Sequence, residues 1–296
     1  MGISKKVSDS SIKLTVVCIT YNHERYIRET LDSILSQNVD FDFEVIINDD
    51  ASVDNTVQII KEYKKKHPEI IKLKLHSENQ FKKGLRHDAL FDRINEARGE
   101  YVSYCEGDDF WLDRDKLARQ VSFLDKNKDF FAHVFDVQAV SGNGTVLYTS
   151  KLDKLGLKNK VYKSSYFELK NNLFVLLQSI CHRKPSKLEM DSFFNKSINT
   201  DLLLQTLLLD SFPDSNIYVS KHISSAYRVH DDGVWSQRGN KSRFYESMHS
   251  LLVQAQYFSQ NGNSTLEAIK MLAIVKNMIK SINGRQLMKI IVRNND

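Results

Sequence analysis

Three carboxylates lie within four residues in the motif Cys-Glu-Gly-Asp-Asp at positions 105–109. The motif follows the apolar run 101–104, so the acids are predicted to crowd the end of a buried strand. Like charges this close repel each other, and folding alone gains nothing from the arrangement. A hard divalent cation relieves the repulsion, because Mg²⁺ and Mn²⁺ take carboxylate oxygens together with substrate phosphates. The motif therefore predicts a metal site for a phosphate-bearing ligand.

A second acidic pair, Asp49 and Asp50, follows another apolar run at 43–47. Either acidic cluster alone is compatible with a solvated turn or a helix cap. Open α/β sheets, however, bind ligands where their parallel strands end. Two acidic clusters at two predicted strand ends therefore favour one shared nucleotide–metal site.

The elements that must position these acids alternate between strands and helices through the first hundred or so residues. Continuous apolar runs predict strands, and apolar positions at helical spacing predict helices. The strands are predicted at 14–19, 43–47, 70–75 and 101–104, and the helices at 26–36, 57–66 and 88–97. This alternation predicts a parallel sheet covered by helices.

The second half of the chain gives a more mixed pattern. Residues 130–147 predict antiparallel strands joined at a turn around 141–144, while the region 161–199 shows no clear periodicity. Further helices are predicted at 117–124 and 202–209, a strand at 217–227, and two long helices after Lys241 that are separated at Gly262.

Composition is that of an ordinary soluble globular protein, with 296 residues, 41% hydrophobic and 27% charged. The formal net charge of +5 is too small to indicate nucleic acid, and it fits phosphate-bearing ligands or an anionic membrane surface. Cys18, Cys105 and Cys181 lack metal-ligand spacing, which favours buried thiols in a reducing compartment. A polar N-terminus and the lack of a long apolar run predict a cytoplasmic protein without a signal peptide or membrane span.

Four blocks of the sequence resemble the family 2 glycosyltransferases of the GT-A fold, particularly the bacterial members that assemble surface polysaccharides. The blocks are Ile-Thr-Tyr-Asn at 19–22, Asn-Asp-Asp-Ala-Ser at 48–52, Cys-Glu-Gly-Asp-Asp-Phe-Trp at 105–111 and Tyr-Arg-Val-His-Asp-Asp-Gly-Val-Trp-Ser at 227–236. The resemblance covers roughly residues 13–236 and implies a Rossmann-like α/β fold with a mixed, mainly parallel sheet flanked by helices. The expected divisions are a polar tail at 1–12, a nucleotide-sugar-binding half at 13–115, an acceptor-binding half at 116–240 and a C-terminal helical extension at 241–296.

The resemblance implies a nucleotide-diphosphate-sugar donor, with a UDP-sugar as the first expectation. Tyr21 would pack on the base, and Asp50 would hydrogen-bond the base and ribose, whereas Asp49 is expected mainly to order its turn. The structural alternatives are a loop aromatic for Tyr21 and a solvated side chain for Arg86. The positions that match nucleotide-sugar contacts of the family are Tyr21, Asp49, Asp50, Arg86, Glu106 and Asp108.

The implied cofactor is Mn²⁺ or Mg²⁺, because charge builds on the diphosphate oxygens as the sugar bond breaks and a metal stabilises that charge as a Lewis acid. The resemblance implies Asp109 as a metal ligand, and His230 as a contact to the metal or diphosphate. Arg228 would neutralise phosphate. Trp235 would line the sugar or acceptor pocket, or pack in the core.

Asp201 matches the position of the catalytic base of the family. An acceptor hydroxyl has a pKa far above neutrality, so a positioned carboxylate assists its attack. The start of the predicted helix would favour the ionised form of Asp201. A base on the face opposite the departing diphosphate implies inversion at the anomeric carbon. The alternative is that Asp201 or Thr200 only caps the helix.

The resulting hypothesis is an inverting, metal-dependent glycosyltransferase, a hexosyl- or N-acetylhexosaminyltransferase. Its acceptor would be a glycan or a lipid-linked oligosaccharide of bacterial lipopolysaccharide or capsule. The processive motif Gln-x-x-Arg-Trp is not found in the sequence, which favours one sugar per encounter. A nucleotidyltransferase is a weaker alternative, since residues 20–24 offer no Gly-rich, basic phosphate loop. An inactive sugar-nucleotide-binding or partner-binding subunit is disfavoured by the retained acids.

The final residues lie outside the resemblance and carry an apolar stripe at Leu272, Val275, Ile279 and Ile282. One interpretation is a helical hairpin that packs on the domain or forms a homodimer. The other is a basic amphipathic helix that touches the inner face of the plasma membrane, where lipid-linked acceptors lie. Since every matched motif precedes residue 241, the tail is predicted to be dispensable for the donor site.

Overall fold

A ten-stranded mixed sheet forms the centre of the fold in the computed structural model, which describes residues 12–85, 87–164, 176–189, 194, 199–233, 236–237 and 239–281. The strands are β1 (Leu14–Thr20), β2 (Phe43–Asp49), β3 (Ile71–Leu75), β4 (Tyr101–Tyr104), β5 (Phe110–Trp111), β6 (Phe130–Ser141), β7 (Val146–Tyr148), β8 (Lys160–Lys163), β9 (Ile180–Arg183) and β10 (Asn216–Val229). Their order is β3-β2-β1-β4-β9-β6-β10-β5, with β7 paired to β6 and β8 paired to β10. The expected mixed sheet is therefore confirmed.

Helices cover both faces of this sheet. They are α1 (Ile27–Leu35), α2 (Thr56–Lys66), α3 (Asp88–Glu96), α4 (Lys116–Lys126), α5 (Lys151–Leu155), α6 (Thr200–Ser211), α7 (Asn240–Gln260) and α8 (Ser264–Ser281). One hydrophobic cluster joins β1 and β2 to α1, α2 and α4. A second cluster joins the other face to α3, α6 and α7. Burial on both faces explains why β1 is a nearly continuous apolar run.

The first half of the sheet confirms the predicted alternation. β3, β2, β1 and β4 are mutually parallel. Parallel neighbours end at the same edge, so the segments after β1, β2 and β4 come together there. These are the segments that carry the first three blocks of the resemblance, and the edge is therefore where a site can form.

The second half differs from a simple parallel continuation. β9 runs antiparallel to both β4 and β6, and it joins the two halves into one sheet. β6 and β7 form the predicted antiparallel pair, with a left-handed Gly144 at φ 87° in the turn. β6 also pairs in parallel with β10, a long-range contact that the local pattern does not reveal.

The C-terminal helices are part of the core and are not a loosely attached extension. Val253, Tyr257 and Phe258 of α7 lie in the same hydrophobic cluster as α6. The Gln254 amide donates to Thr206 Oγ1 at 2.6 Å. Within the ranges described, no helix combines the length and apolar character needed to cross a membrane.

Candidate active site

The segments that follow β1 and β2 are fastened to each other at the sheet edge. The Asn22 amide N–H donates to Ser52 Oγ at 2.8 Å, and the Val53 N–H donates to Asn22 Oδ1 at 2.9 Å. Asn22 and Ala51 both adopt positive φ, 55° and 63°, a region that asparagine tolerates better than most residues. The two segments therefore form one frame beside the end of β4.

The acidic pair after β2 shapes this frame. Asp49 is fully buried, and its two oxygens accept from the Ser52 N–H at 2.9 Å and the Ser52 hydroxyl at 2.5 Å. Asp50 accepts from the N–H groups of Gln80 at 2.6 Å and Phe81 at 3.2 Å, so it holds the segment after β3. A carboxylate offers about four lone-pair positions, which leaves Asp50 capacity for a ligand hydroxyl. Tyr21 is half-buried at the end of β1.

Gly107 brings the acidic motif against the segment after β1. Its N–H donates to Ile19 O at 2.9 Å. A Cβ at this position would lie 2.7 Å from His23 Nδ1 and still closer to Thr20 Oγ1. Only glycine permits this approach without displacing His23. The glycine in the motif is thus explained by the histidine facing it.

One carboxylate and two imidazoles form the candidate metal site. His230 Nε2 lies 3.0 Å from Asp108 Oδ2, and His23 Nε2 lies 3.6 Å from the same oxygen. His23 Nδ1 pairs with Thr20 Oγ1 at 3.2 Å, which orients Nε2 toward Asp108. The ligand atoms of the three residues lie within 4.8 Å of one another.

The charge and chemistry of this group fit a divalent cation. Burial acts to raise the pKa of Asp108, but the nearby His23 and the hydrogen bond from His230 outweigh it and hold that pKa below its usual value. The buried His230 Nδ1 has no hydrogen-bond partner within the described part of the chain. A mixed nitrogen and oxygen donor set suits Mn²⁺ better than Mg²⁺, which prefers oxygen ligands.

The predicted ligand Asp109 lies outside this group. It is 1% exposed, and its Oδ1 accepts from the Arg228 N–H at 2.8 Å. Asp108 is the aspartate that faces His23 and His230, and Asp109 Oδ2 is buried without a hydrogen-bond partner in the described part of the chain, so the metal-ligand role of Asp109 stays a prediction.

Arg228 anchors the acidic motif to β10. Its Nε donates to Asp108 O at 2.9 Å, and its Nη2 donates to Glu29 Oε2 at 2.5 Å. The guanidinium carbon lies 4.7 Å from the Tyr26 ring centroid and 4.9 Å from that of Phe110. The Arg228 side chain is 4% exposed and makes these contacts within the protein, and its expected phosphate contact stays a prediction.

Other carboxylates around the motif share one strongly acidic environment. Burial, followed by the charges of Asp201 and Asp108, raises the pKa of Glu106 well above its usual value. Burial also raises the pKa of Tyr227, to which Asp109, Glu106, Asp108 and Asp201 all add. The predicted base Asp201 therefore lies close enough to the acidic motif to raise the pKa of Glu106.

Asp201 is in the first turn of α6 and is not its cap. The cap is Asn199, whose Oδ1 accepts from the Leu202 N–H at 3.1 Å. Thr200 Oγ1 instead pairs with His87 Nδ1 at 2.8 Å. Burial raises the pKa of Asp201 to about 6, and the positive charge of Lys151 opposes that rise. The capping alternative is thus not what the structure shows for Asp201.

A cleft with a volume of about 730 Å³ lies on one side of His230. It is lined by Arg25, Tyr26, Glu29, Ser141–Gly144 and Arg228–Asp232. The predicted site residues Arg86 and Trp235 lie outside the described residues. The sequence interpretation missed His23 and Lys151. The sequence offers one sign of a role for His23, which is its position directly after the block at 19–22. No local pattern around Lys151 indicates a role for it.

The comparison with known families decides the class of the protein. Residues 15–183 match the family described as Glycosyl transferase family 2. The chain belongs to this family. It is a glycosyltransferase, as the resemblance implied. An uncharacterized protein of Mycobacterium tuberculosis is 30% identical over 279 residues, which cover 92% of this chain and 77% of that protein. The dTDP-rhamnosyl transferase RfbG of Shigella flexneri is 28% identical over 222 residues, which cover 72% of this chain and 71% of that protein.

Solved structures of other glycosyltransferases share the fold of this family 2 chain. Staphylococcus aureus TarS 1–349 in complex with UDP-GlcNAc aligns with a TM-score of 0.58 at 21% identity, covering 84% of this chain and 73% of that one. In the complex of the same fragment with UDP, this chain covers 65% of its length. The mannosyltransferase PcManGT from Pyrobaculum calidifontis was solved in complex with GDP-Man and Mn²⁺. It aligns with a TM-score of 0.55 at 17% identity, covering 96% of this chain and 79% of that one. These likenesses confirm the expected GT-A fold.

Proposed function

We propose that the protein transfers a single sugar from a nucleotide-diphosphate sugar, with a UDP-sugar as the first candidate, by an inverting and metal-dependent reaction. The observation that carries the proposal is the meeting of Asp108, His23 and His230 at the sheet edge that Asp201 also approaches. The names of the relatives support a nucleotide-sugar donor, because they include a dTDP-rhamnosyl transferase and a protein solved with UDP-GlcNAc.

His23, Asp108 and His230 would hold the metal, with Mn²⁺ favoured by the donor set. When bound, the cation supplies Lewis-acid stabilisation for the charge that develops on the leaving diphosphate. In support, the structural neighbour PcManGT was solved with GDP-Man and Mn²⁺. The contacts of Gly107 and Thr20 with His23 also support this assignment, because they fix the position of the His23 ring.

Asp201 would act as the general base at the acceptor hydroxyl. With a pKa of about 6 its carboxylate is ionised at neutral pH and still basic enough to take the hydroxyl proton. Attack from the side of Asp201, opposite the departing diphosphate, inverts the anomeric configuration. Tyr21 and Asp50 would contact the nucleotide, in line with their place at the ends of β1 and β2.

The proposed acceptor is a glycan or lipid-linked oligosaccharide of bacterial surface polysaccharide, and the proposed location is the cytoplasmic side of the plasma membrane. The division into a donor half at 13–115 and an acceptor half at 116–240 is part of the same proposal. His230 is an exception to this division. It belongs to the acceptor half, yet its Nε2 lies 3.0 Å from Asp108 Oδ2 in the donor half.

Two substitutions test the proposal. Asp108→Asn should abolish the Mn²⁺-dependent part of UDP binding in a calorimetric titration, because it removes the charged ligand atom. Asp201→Asn should keep that binding and lower the release of UDP from a UDP-sugar by about 10²–10⁴-fold, the usual range for losing a positioned base.

The matched control is Asp92→Asn, an exposed aspartate of α3 with 64% side-chain exposure, which should change neither quantity. The donor assignment is overturned if the wild-type protein binds neither UDP nor another nucleoside diphosphate in the presence of Mn²⁺. Retention of the anomeric configuration in the product would overturn the inverting mechanism.

A further inference from the structure

The side chain of Tyr227 lies on the face of β10 that points away from α1. Side chains alternate between the two faces of a strand, and the guanidinium of the next residue, Arg228, donates to Glu29 Oε2 of α1 at 2.5 Å. Residues 225–229 of β10 pair with 137–141 of β6 without a register shift, so the alternation holds in this segment. Tyr227 therefore points to the opposite face of the sheet, which is the face that α6 covers.

The backbone of β10 fixes Tyr227 beside the acidic motif. The N–H of Arg228 donates to Asp109 Oδ1 at 2.8 Å, and the proposed metal ligand His230 follows directly after the strand. Burial raises the pKa of the Tyr227 hydroxyl, and the charges of the three carboxylates of the motif and of Asp201 add to the rise. Because both sets of charges act on this one hydroxyl, Tyr227 lies between the acidic motif and the proposed base.

Tyr227 does not pack in the hydrophobic core. Ile217 and Val219, which precede it in β10, belong to the main cluster, but Tyr227 belongs to none of the clusters that the described residues form. It is half-buried, although its neighbours Ala226 and Arg228 are buried. Within the described part of the chain, its hydroxyl makes no hydrogen bond. The ring and the hydroxyl are therefore available to a ligand.

The position and the chemistry of Tyr227 fit a sugar ring. In-line displacement requires the leaving diphosphate, the anomeric carbon and the base at the acceptor hydroxyl to lie in that order, so a side chain between the metal group and Asp201 contacts the transferred sugar. The raised pKa keeps the Tyr227 hydroxyl protonated, and a neutral phenol can both donate to and accept from a sugar hydroxyl. The aromatic ring adds apolar contact, and the surrounding carboxylates repel an anionic ligand.

We propose that Tyr227 contacts the sugar of the nucleotide-sugar donor and contributes to its selection. The inference rests on the proposed function, because it requires the metal group and Asp201 to flank the reacting sugar. It assigns the contribution of Tyr227 to the sugar and not to the nucleotide. Substitution of Tyr227 should therefore weaken the binding of a sugar nucleotide and leave the binding of UDP unchanged.

Calorimetric titration in the presence of Mn²⁺ tests the proposal with UDP, UDP-glucose, UDP-galactose, UDP-N-acetylglucosamine and UDP-N-acetylgalactosamine. The UDP-sugar that the wild-type protein binds most tightly serves as the probe. Tyr227→Phe should weaken binding of the probe about 3- to 10-fold, the usual value of one hydrogen bond. Tyr227→Ala should weaken it about 10-fold or more, because the ring is lost as well. Affinity for UDP should change by less than about twofold in both variants.

Tyr245→Phe is the matched control, since Tyr245 is 58% exposed on α7, and it should change neither affinity. Melting temperature is measured on all variants. An equal loss of affinity for UDP and for the probe overturns the proposal, as does an unchanged affinity for the probe in both Tyr227 variants. A wild-type protein that binds neither UDP nor another nucleoside diphosphate with Mn²⁺ overturns the proposed function itself. If another nucleoside diphosphate binds more tightly than UDP, the same comparison uses that nucleotide and its sugar conjugate.

Discussion

The ionisation of Asp201 is set first by its burial and then by the positive charge of Lys151. Burial raises its pKa to about 6, and the charge of Lys151 at the start of α5 opposes the rise. Glu106 and Tyr227 face the same environment, and the pKa of each is raised by burial and by Asp201. Lys151 therefore acts on the proposed base through its charge, from an element that the sequence did not predict.

The rate of sugar transfer should depend on pH through the ionisation of Asp201. A base must be deprotonated to act, so turnover should fall about tenfold per pH unit below a pH near 6. Lys151→Met removes a positive charge that favours the ionised Asp201, so the acidic limb should move to higher pH. The measurement is turnover at saturating donor between pH 5 and 8.

Lys158→Met serves as the control for that experiment, because Lys158 is an exposed lysine after α5 and does not contribute to the Asp201 pKa. An acidic limb that stays in place in Lys151→Met, with turnover otherwise intact, would contradict the role assigned to Lys151.

His23 should determine which metal the protein prefers. Replacing it by alanine removes one of two nitrogen ligands and leaves Asp108 and His230, so affinity for Mn²⁺ should fall about 10-fold or more while the weaker affinity for Mg²⁺ changes little. Metal titration of the nucleotide-bound protein checks this without turnover. His222→Ala is the control, because His222 pairs with Asp113 at a distance from the site. Equal losses for both metals would contradict a ligand role for His23.

At the residue scale, the sequence predicted which short motifs meet but not which atoms face each other. The motif at 105–109 indicated a metal site, yet the sequence could not show that Asp108 is the aspartate of the motif that lies beside His23 and His230. The ion pair between Arg228 and Glu29 joins residues 199 positions apart, and no local pattern in the sequence reveals it. Pairings over such separations depend on the complete fold.

At the element scale, Asn199 sets the start of α6 and with it the position of Asp201. Asn199→Ala removes the acceptor of the Leu202 N–H and should lower the free energy of unfolding by about 1 kcal/mol. Asn199→Asp keeps a capping oxygen and should be nearly neutral. Urea unfolding of both variants gives the comparison. Equal stability of the alanine and aspartate variants would show that the side chain of Asn199 does not stabilise the helix.

Element length explains which parts of the fold could be predicted. The longer apolar strands and amphipathic helices, such as β1, α1 and α6, were predicted within two residues of their bounds. The elements that were missed are short: β5 has two residues, β8 and β9 four, and α5 five. Too few positions repeat in such segments for a period to be detected.

At the scale of the whole molecule, the C-terminal helices complete the core. A chain ending at Gly239 would lack Val253, Tyr257 and Phe258 and would expose the core residues that they cover. Burial of each of these three side chains contributes about 1.5–3 kcal/mol to the free energy of unfolding. The sum approaches the total stability of a domain, so this truncation should not unfold cooperatively. The measurement is thermal unfolding by circular dichroism.

A chain ending at Ser281 is the matched control, since it keeps α7 and α8, and it should melt cooperatively. Cooperative melting of the chain ending at Gly239, together with normal UDP binding, would contradict this prediction. It would instead support the expectation that the tail is dispensable for the donor site.

The pairing of β6 with β10 also has a consequence for the order of events during synthesis. Asp108 and His230 are 122 positions apart, and His230 directly follows β10, which docks on β6 by non-local contacts that form slowly. The ribosome delivers the first block of the site long before the last. A nascent chain therefore carries the first three blocks of the resemblance before it carries His230. If His230 holds the proposed metal, we expect sugar transfer to begin only after β10 has emerged and joined the sheet.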